Sequence, residues 1–277
     1  ADDTHPIWRK ISETIEDCNP KMVGITYLTP IMHSAQKVAS LVKEIDENII
    51  VIAGGHHPSF CPEETLKSPD IDIAVRGEGE IPLLQLCNAF LSGKTDLKRI
   101  QGIHFKENGG IVGTADSDLI PDLDSLPFPA RELVLNCDYS RYRLHYMITA
   151  RGCPYNCTFC SDKKLWKGKV RRRSLKNVME EMKQLSRTYD IKYVDMVDGT
   201  FTYDRRYLTD FCNAMIQEGL GIKWRCSARY DNLDRKIIDL MKKADCNGLY
   251  LGLESGSQKI LNSIDKKNNG GRYRQNK

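Results

Sequence analysis

Three of the chain's ten cysteines lie within ten residues, in the stretch RGCPYNCTFC (151–160). Cys153, Cys157 and Cys160 are spaced C-x3-C-x2-C, and neither a second C-x2-C pair nor a histidine at ligand spacing accompanies them. Thiolates this close together favour zinc or an iron–sulfur cluster. Structural zinc sites usually combine two C-x2-C pairs. The spacing therefore favours an iron–sulfur cluster, with structural zinc as the alternative.

A [4Fe–4S] cluster is normally held by four thiolates. Three thiolates leave one iron without a protein ligand, and an open coordination position distinguishes metal sites that bind a substrate or cofactor from closed structural sites. The other seven cysteines are scattered singly along the chain, and we interpret them as small buried hydrophobic residues. The three-cysteine stretch is therefore predicted to be functional.

The elements that must position these cysteines alternate between strand and helix. Short apolar runs predict strands at 144–150, 191–197, 222–228 and 248–254, and helical spacing predicts helices at 175–188, 205–218 and 233–244. The first strand leads directly into the cysteines. Consecutive β/α units predict a TIM-like barrel with its functional groups at the carboxyl ends of the strands. Because only four units are visible, we predict a partial, apparently truncated barrel.

The first third of the chain shows a similar alternation. Strands are predicted at 21–28, 48–55 and 71–75, followed by a β-hairpin around Asn108-Gly109. This order predicts an α/β fold with a doubly wound, Rossmann-like parallel sheet. We predict that this domain covers 1–114 and lacks a first strand, that 115–143 is a linker, that 144–265 forms the partial barrel, and that 266–277 is a polar tail.

The cysteine spacing, with Arg151-Gly152 before it and Phe159 just before the last cysteine, resembles the signature of the radical S-adenosylmethionine superfamily. The resemblance implies that the open iron of a [4Fe–4S] cluster chelates S-adenosylmethionine. It also implies that an electron passed into the sulfonium generates a 5′-deoxyadenosyl radical, and that a reductant such as ferredoxin or flavodoxin supplies the electron. Beyond the cluster, no catalytic residue is predicted.

The same resemblance implies contacts to S-adenosylmethionine at the ends of the later strands. Asp198, Gly199 and Thr200 follow the second strand, where the family places contacts to the methionine amino group. Arg229 ends the third strand and is expected near the carboxylate. Glu254 and Ser255 end the fourth strand, where ribose contacts are expected, and Phe159 lies within the cysteine stretch itself.

The N-terminal domain is similar to the cobalamin (B12)-binding subgroup of this superfamily, which includes radical methyltransferases and the anaerobic magnesium-protoporphyrin ester cyclase. The strings VIAGGHHPSFCPEETL (51–66) and DIAVRGEGE (72–80) carry the likeness. It implies cobalamin contacts at three strand ends, from Thr26, Gly54, Gly55, His56 and Gly77. The cobalt-ligating pattern D-x-H-x-x-G is absent from the sequence, so either cobalamin binds here without that histidine or this domain does not bind cobalamin.

The resulting prediction is a radical S-adenosylmethionine enzyme of methyltransferase or cyclase type. It would use cobalamin to transfer a methyl group to a small molecule or to remodel its carbon skeleton. The alternatives are a cobalamin-independent, methylthiotransferase-like RNA modifier, which the basic run 167–173 would suit, and a truncated iron–sulfur binding protein without activity. The formal charge of +4 is mild, so nucleic acid is not favoured as a partner. With no apolar run near 20 residues and no secretory signal, we expect a cytoplasmic protein without a membrane span.

Overall fold

A computed structural model describes residues 5–93, 95–135 and 144–266. The chain divides into two compact units, Ala1–Ile120 and Pro121–Lys277. Residues 136–143 of the predicted linker and 267–277 of the predicted polar tail lie outside the described residues. Within the described ranges, no helix is both long enough and apolar enough to cross a membrane.

The first unit is built on a five-stranded sheet in which three parallel strands continue into an antiparallel hairpin. Across the sheet the strands are β1 (Met22–Thr26), β2 (Ile50–Gly54), β3 (Ile73–Val75), β4 (Ile103–Glu107) and β5 (Gly110–Gly113). The predicted hairpin is confirmed. Asn108 and Gly109 both have positive φ, 50° and 77°, as a two-residue type I′ turn requires.

Helices cover both faces of this sheet. They are α1 (Pro6–Cys18), α2 (Met32–Ile45), α3 (His56–Phe60), α4 (Pro62–Thr65) and α5 (Glu80–Ser92). Val51 and Ala53 belong to a buried cluster with residues of α1 and α2, whereas Ile52 belongs to one with Leu86 of α5. Successive side chains of a strand point to opposite faces, so β2 is buried on both. The predicted α/β class with parallel strands is confirmed.

The second unit contains a parallel sheet of four strands in the order β11-β10-β9-β6. The strands of this sheet are β6 (Leu144–Met147), β9 (Tyr193–Met196), β10 (Lys223–Ala228) and β11 (Cys246–Leu251). Two further strands, β7 (Ala150–Arg151) and β8 (Arg171–Arg172), form a separate antiparallel ribbon. The ribbon brackets the segment that carries the three cysteines. That this sheet is part of a truncated barrel stays a prediction.

Among the described residues of the second unit, five helices connect and cover its strands. They are α6 (Asp162–Leu165), α7 (Leu175–Thr188), α8 (Arg205–Glu218), α9 (Arg235–Lys243) and α10 (Gln258–Ser263). Side chains of Ser174, Asp204 and Asp234 accept hydrogen bonds from backbone N–H groups in the first turns of α7, α8 and α9, which stabilises the helix starts. The core holds three aromatic rings in edge contact, Phe201, Phe211 and Trp224.

Two features differ from the sequence prediction. The strand predicted at 144–150 ends at Met147, because the N–H groups of Thr149 and Ala150 donate to the Asp198 carboxylate instead of to a strand neighbour. In addition, the predicted linker belongs in part to the second unit. Leu123 is buried, and Arg131 forms a buried ion pair with Glu181 of α7.

Candidate functional site

A cavity of about 440 Å³ opens at the carboxyl ends of the parallel strands of the second unit, and Cys153, Cys157 and Cys160 all line it. Residues that follow β9, end β10 and end β11 form its other walls. A volume of this size is typical of small-molecule and cofactor sites. The predicted convergence of the cysteines and the strand ends on one space is therefore present in the fold.

The loop that carries the cysteines is held in place at its base by a glycine. Gly152 has a φ of 93°, and a Cβ there would lie 2.1 Å from the Lys169 carbonyl oxygen. Only glycine allows the two arms of the β7–β8 ribbon to approach this closely. Beside it, the guanidinium groups of Arg151 and Arg171 stack on the Trp166 ring, 5.9 and 5.6 Å from its centroid.

Cys153, Cys157 and Cys160 line the same cavity, and three thiolates would leave one iron of a [4Fe–4S] cluster without a protein ligand. Burial raises the pKa of the Cys160 thiol, and the neighbouring Cys153 and Cys157 add to this rise.

Polar groups approach two of the sulfurs. Thr200 Oγ1 lies 3.5 Å from Cys153 Sγ, and Arg229 Nη1 lies 3.8 Å from Cys157 Sγ. Gly199 packs against the same cysteine, because a Cβ there would lie 3.3 Å from the Cys153 Cβ and 2.3 Å from Asp162 Oδ2. The segment after β9 therefore packs against Cys153, and both Gly199 and Thr200 line the cavity.

Arg229 lines the cavity but is already engaged by other side chains. It is 6% exposed, forms a two-point ion pair with Asp231 at 2.9 and 3.0 Å, and stacks on the Tyr155 ring at 3.9 Å. Burial alone would lower the pKa of Arg229, but Asp231 outweighs burial and raises it. The structure thus fixes a positive charge beside Cys157, and Tyr155, which sequence reasoning missed, helps to fix it.

Asp198 does not line the cavity, in contrast to the predicted contact with S-adenosylmethionine. Its carboxylate is 3% exposed and accepts hydrogen bonds from the N–H groups of Thr149 and Ala150 at 2.7 and 3.1 Å and from the Thr149 hydroxyl. Burial raises the pKa of Asp198, while these hydrogen bonds and Arg172 act to lower it. Asp198 therefore positions the turn that leads to Cys153.

The end of β11 contributes a charged pair. Glu254 lines the cavity, has a φ of 58°, and receives a 2.7 Å hydrogen bond from Lys266, whose side chain is 5% exposed. Ser255, predicted together with Glu254, is not in the lining, and its Oγ accepts from the Ser257 N–H at 3.1 Å. The sequence places Lys266 in the polar tail, because nothing in IDKK (264–267) distinguishes a buried lysine from an exposed one.

Phe159 lines the cavity with its side chain 57% exposed, so an incoming ligand can pack against it. The cysteine loop is also tied to the segment after α10, since the Thr158 N–H donates to the Ile264 carbonyl at 3.0 Å. That link helps to explain how Lys266 reaches the same cavity. Tyr250 on β11 is a further lining residue that the sequence did not indicate.

The arginines of the basic run 167–173 are used within the second unit. Arg172 lies over the rings of Tyr203 and Tyr207, 4.5 and 4.1 Å from their centroids, and Arg173 pairs with Glu181. Burial raises the pKa of Tyr207 to about 12. These contacts stabilise the unit and reduce the positive charge available to an external phosphate.

In the first unit, the residues predicted for cobalamin lie together at the carboxyl edge of β1–β3. Thr26 pairs with Gly54 across β1 and β2, and the Gly77 N–H donates to Ser59 Oγ, which in turn donates to the Gly55 carbonyl. Gly55 has a φ of 97°, and a Cβ there would lie 2.8 Å from Thr26 Oγ1.

Next to Gly55, a Cβ on Gly54 would meet no atom within 4 Å. The edge is thus closely packed at Gly55 and open at Gly54. Thr26 and Gly77 are exposed there, and so is the His56 side chain.

Taken together, a doubly wound unit and a parallel β/α unit with a three-cysteine cavity define a radical S-adenosylmethionine protein of the cobalamin-binding type. Comparison with known families supports this class directly. Residues 147–276 match the radical SAM superfamily, and residues 2–86 match the B12 binding domain. The chain therefore carries a radical SAM domain and a B12-binding domain, and the predicted family is confirmed.

Two similar proteins are informative. An uncharacterized methyltransferase of Pyrococcus horikoshii is 37% identical over 92% of this chain and 56% of the relative. An anaerobic magnesium-protoporphyrin IX monomethyl ester cyclase of Rubrivivax gelatinosus is 31% identical over 93% of this chain and 48% of the relative. The chain spans about half the length of these relatives.

Solved structures share the fold. The cobalamin-dependent S-adenosylmethionine radical enzyme OxsB, with aqua-cobalamin and S-adenosylmethionine bound, matches with a TM-score of 0.80 and 22% identity over 96% of this chain and 40% of OxsB. The radical S-adenosylmethionine methyltransferase TsrM from Kitasatospora setae, with cobalamin and a [4Fe–4S] cluster bound, matches with a TM-score of 0.79 and 19% identity over 94% of this chain and 54% of TsrM. The predicted cofactor set is the one that these relatives contain.

Proposed function

We propose that this chain is the cobalamin-binding and radical-generating part of a radical S-adenosylmethionine enzyme that transfers a methyl group to a small molecule. The observation that carries the proposal is the single cavity that gathers Cys153, Cys157 and Cys160 with the ends of β9, β10 and β11. Three thiolates in one cavity fit a [4Fe–4S] cluster with one iron left for a cofactor.

A [4Fe–4S] cluster held by Cys153, Cys157 and Cys160 would supply the electron for reductive cleavage of S-adenosylmethionine. The chain's own residues hold and orient the reactants. Arg229 provides a fixed positive charge next to Cys157, which favours electron transfer to this region by stabilising added negative charge. Thr200 and the Glu254–Lys266 pair present polar groups to S-adenosylmethionine, and Phe159 presents an apolar surface that excludes water. An external donor such as ferredoxin or flavodoxin is the proposed source of electrons.

Cobalamin is proposed to bind at the carboxyl edge of β1–β3, which is where open α/β sheets bind ligands. The open side of Gly54 leaves room for a flat ring to approach the backbone. Thr26, His56 and Gly77 offer exposed polar groups there. Because D-x-H-x-x-G is absent from the sequence, the protein would bind the corrin without that histidine ligand to cobalt.

A second candidate function is carbon-skeleton remodelling, as in the cyclase relative, and it would use the same two sites. RNA modification is the weaker alternative, although a putative methylthiotransferase of Methanocaldococcus jannaschii is 25% identical. The arginines that would bind a phosphate backbone are instead engaged by Tyr203, Tyr207 and Glu181.

The test is anaerobic reconstitution with iron and sulfide, followed by reduction in the presence of S-adenosylmethionine. We expect methionine together with 5′-deoxyadenosine. The Cys157→Ser variant should form none of these, whereas Cys18→Ser, which changes an exposed cysteine of the first unit, should behave as the unaltered chain. Iron-loaded protein that leaves S-adenosylmethionine intact would refute the proposal.

A further inference from the structure

A second group of metal-ligating side chains lies in the first unit, apart from the cysteines 153–160. His57, Cys61 and Glu64 each contribute one ligand atom, and these three atoms all lie within 4.8 Å of one another. We propose that they form a binding site for a divalent transition metal, and that zinc is the ion that fits it best. This inference does not depend on the radical chemistry proposed above.

The local helical turns bring the three side chains together. Cys61 lies between α3 and α4, with φ of −131° and ψ of 55°. Its N–H donates to the His57 carbonyl at 2.8 Å, and its carbonyl accepts from the Thr65 N–H at 3.0 Å. These two hydrogen bonds join the end of α3 to the start of α4, and the three ligand atoms of the pattern H-x3-C-x2-E meet at this junction.

The His57 imidazole supplies the independent sign of a ligand. Its side chain is 3% exposed, and Nε2 has no hydrogen-bond partner among the described residues. A buried polar atom without a partner is uncommon, and an ion is one of the few explanations for it. Within this group, Nε2 lies 3.9 Å from Glu64 Oε2, so the unpartnered atom is directed towards a carboxylate.

The second nitrogen of the ring is positioned as metal-binding histidines require. His57 Nδ1 lies 3.1 Å from Thr29 Oγ1, and the Tyr27 ring stacks on the imidazole with centroids 5.4 Å apart. When Nδ1 carries the proton and donates it to Thr29, Nε2 keeps its lone pair for a metal. Such a hydrogen bond on the distal nitrogen fixes both tautomer and ring orientation in metal sites.

The ligand set favours zinc over the common hard cations. One nitrogen, one sulfur and one oxygen suit a borderline-soft ion, whereas calcium and magnesium take oxygen ligands. Zinc bonds of about 2.0 to 2.3 Å place tetrahedral ligands roughly 3.5 Å apart, close to the 3.9 Å between His57 and Glu64. A thiolate and a carboxylate would balance the charge of the ion, and the fourth position would stay open to water or another ligand.

An ion can reach the site from solvent. The Glu64 side chain is 53% exposed and Cys61 is half-buried, while His57 forms the buried wall. This gradient of burial lets the carboxylate close over an ion already held by the imidazole and the thiolate.

The test uses the full chain, first reconstituted with iron and sulfide so that Cys153, Cys157 and Cys160 are occupied. Zinc is then added, unbound ion is removed, and bound zinc and its X-ray absorption spectrum are measured. We expect one zinc per chain with a single sulfur at about 2.3 Å and the rest nitrogen or oxygen. A spectrum with three sulfurs would place the zinc on the cluster cysteines and overturn the proposal.

Matched variants identify the ligands. Cys61→Ser and Glu64→Gln should each weaken zinc binding at least tenfold, and Cys18→Ser and Glu63→Gln should leave it unchanged. Glu64 is largely exposed, so its substitution tests the site without endangering the fold. Thr29→Val should weaken binding about 10- to 100-fold by releasing the His57 ring. Wild-type zinc affinity in both Cys61→Ser and Glu64→Gln would overturn the site.

Discussion

The two units place polar groups in opposite ways around their strand ends. The second unit buries charged side chains at or beneath its cavity, among them Asp198, Arg229 and Lys266. The first unit leaves small residues at its sheet edge, with Thr26 and Gly77 exposed and the Gly54 backbone facing open space. The cavity of the second unit is thus shaped by buried charges around the loop that carries the three cysteines. The sheet edge of the first unit is shaped by side chains that are small or absent.

The largest expected effect is on cluster assembly, which should require a cysteine of the second unit but not one of the first. Cys157→Ala should abolish cluster assembly, because two thiolates cannot hold the iron that three do. Cys61→Ala in the first unit should leave iron and sulfide content unchanged. The measurement is iron and acid-labile sulfide per chain after anaerobic reconstitution. Equal iron in the two variants would show that the cluster does not depend on the cavity of the second unit.

The next effect tests whether the cysteine loop depends on close backbone approach. Gly152→Ala should lower the free energy of unfolding by about 3 kcal/mol, because its Cβ would lie 2.1 Å from a carbonyl oxygen. Gly168 in the same segment has a φ of 69°, but a Cβ there would meet no atom within 4 Å. Gly168→Ala should therefore cost only about 1 kcal/mol of backbone strain. Denaturant unfolding measures both values. Equal losses would contradict the proposed role of the ribbon.

A smaller effect concerns the buried charges of the second unit. Burial, and then Arg131, lower the pKa of His145 to about 4 from 6.5, and Arg131 Nε donates to His145 Nε2 at 2.7 Å. The unfolded chain therefore binds the proton more tightly. The stability that His145 contributes is present above pH 6.5 and is lost as pH falls towards 4. After discounting for partial exposure, we expect a loss of about 1–2 kcal/mol.

His145→Gln should flatten this pH dependence while keeping an acceptor for Arg131. His33→Gln, which alters an exposed histidine of the first unit, should leave the slope as it is. Denaturant unfolding between pH 4 and 7 gives the comparison. A His145→Gln slope equal to that of the unaltered chain would show that this buried group does not control acid stability.

The smallest effect tests the open edge of the first unit. Gly54→Leu should leave unfolding nearly unchanged, because its Cβ meets no atom within 4 Å, but it should weaken hydroxocobalamin binding about tenfold by filling the proposed ligand space. Gly24→Leu, on β1 and equally uncrowded, is the control that should bind normally. Corrinoid titration measures both. If Gly54→Leu bound hydroxocobalamin as tightly as Gly24→Leu, the proposed cobalamin site at this edge would be wrong.

Local signals in the sequence were sufficient for several parts of the structure. The turn at Asn108-Gly109, the cap at Ser174 and the strand that leads to Cys153 all follow from residues adjacent in the chain. The convergence of Thr200 and Arg229 on the cysteines followed from the rule that functional groups gather at the carboxyl ends of parallel strands.

Tertiary burial could not be predicted in the same way. Asp198 looked like a ligand contact, yet Thr149 and Ala150, 49 and 48 residues away, take up its carboxylate. Lys266 looked like the start of a polar tail, yet it is buried against Glu254. The sequence does not indicate the group of His57, Cys61 and Glu64, because these residues come together across the junction between α3 and α4.

The most direct test of the central claim is Mössbauer spectroscopy of the chain reconstituted with ⁵⁷Fe, before and after adding S-adenosylmethionine. A three-cysteine [4Fe–4S] cluster predicts that about one quarter of the iron changes its signal on addition, because one iron of the four lacks a thiolate. In the Cys160→Ser variant this response should be lost. A cluster in the unaltered chain whose spectrum does not respond to S-adenosylmethionine would contradict the account.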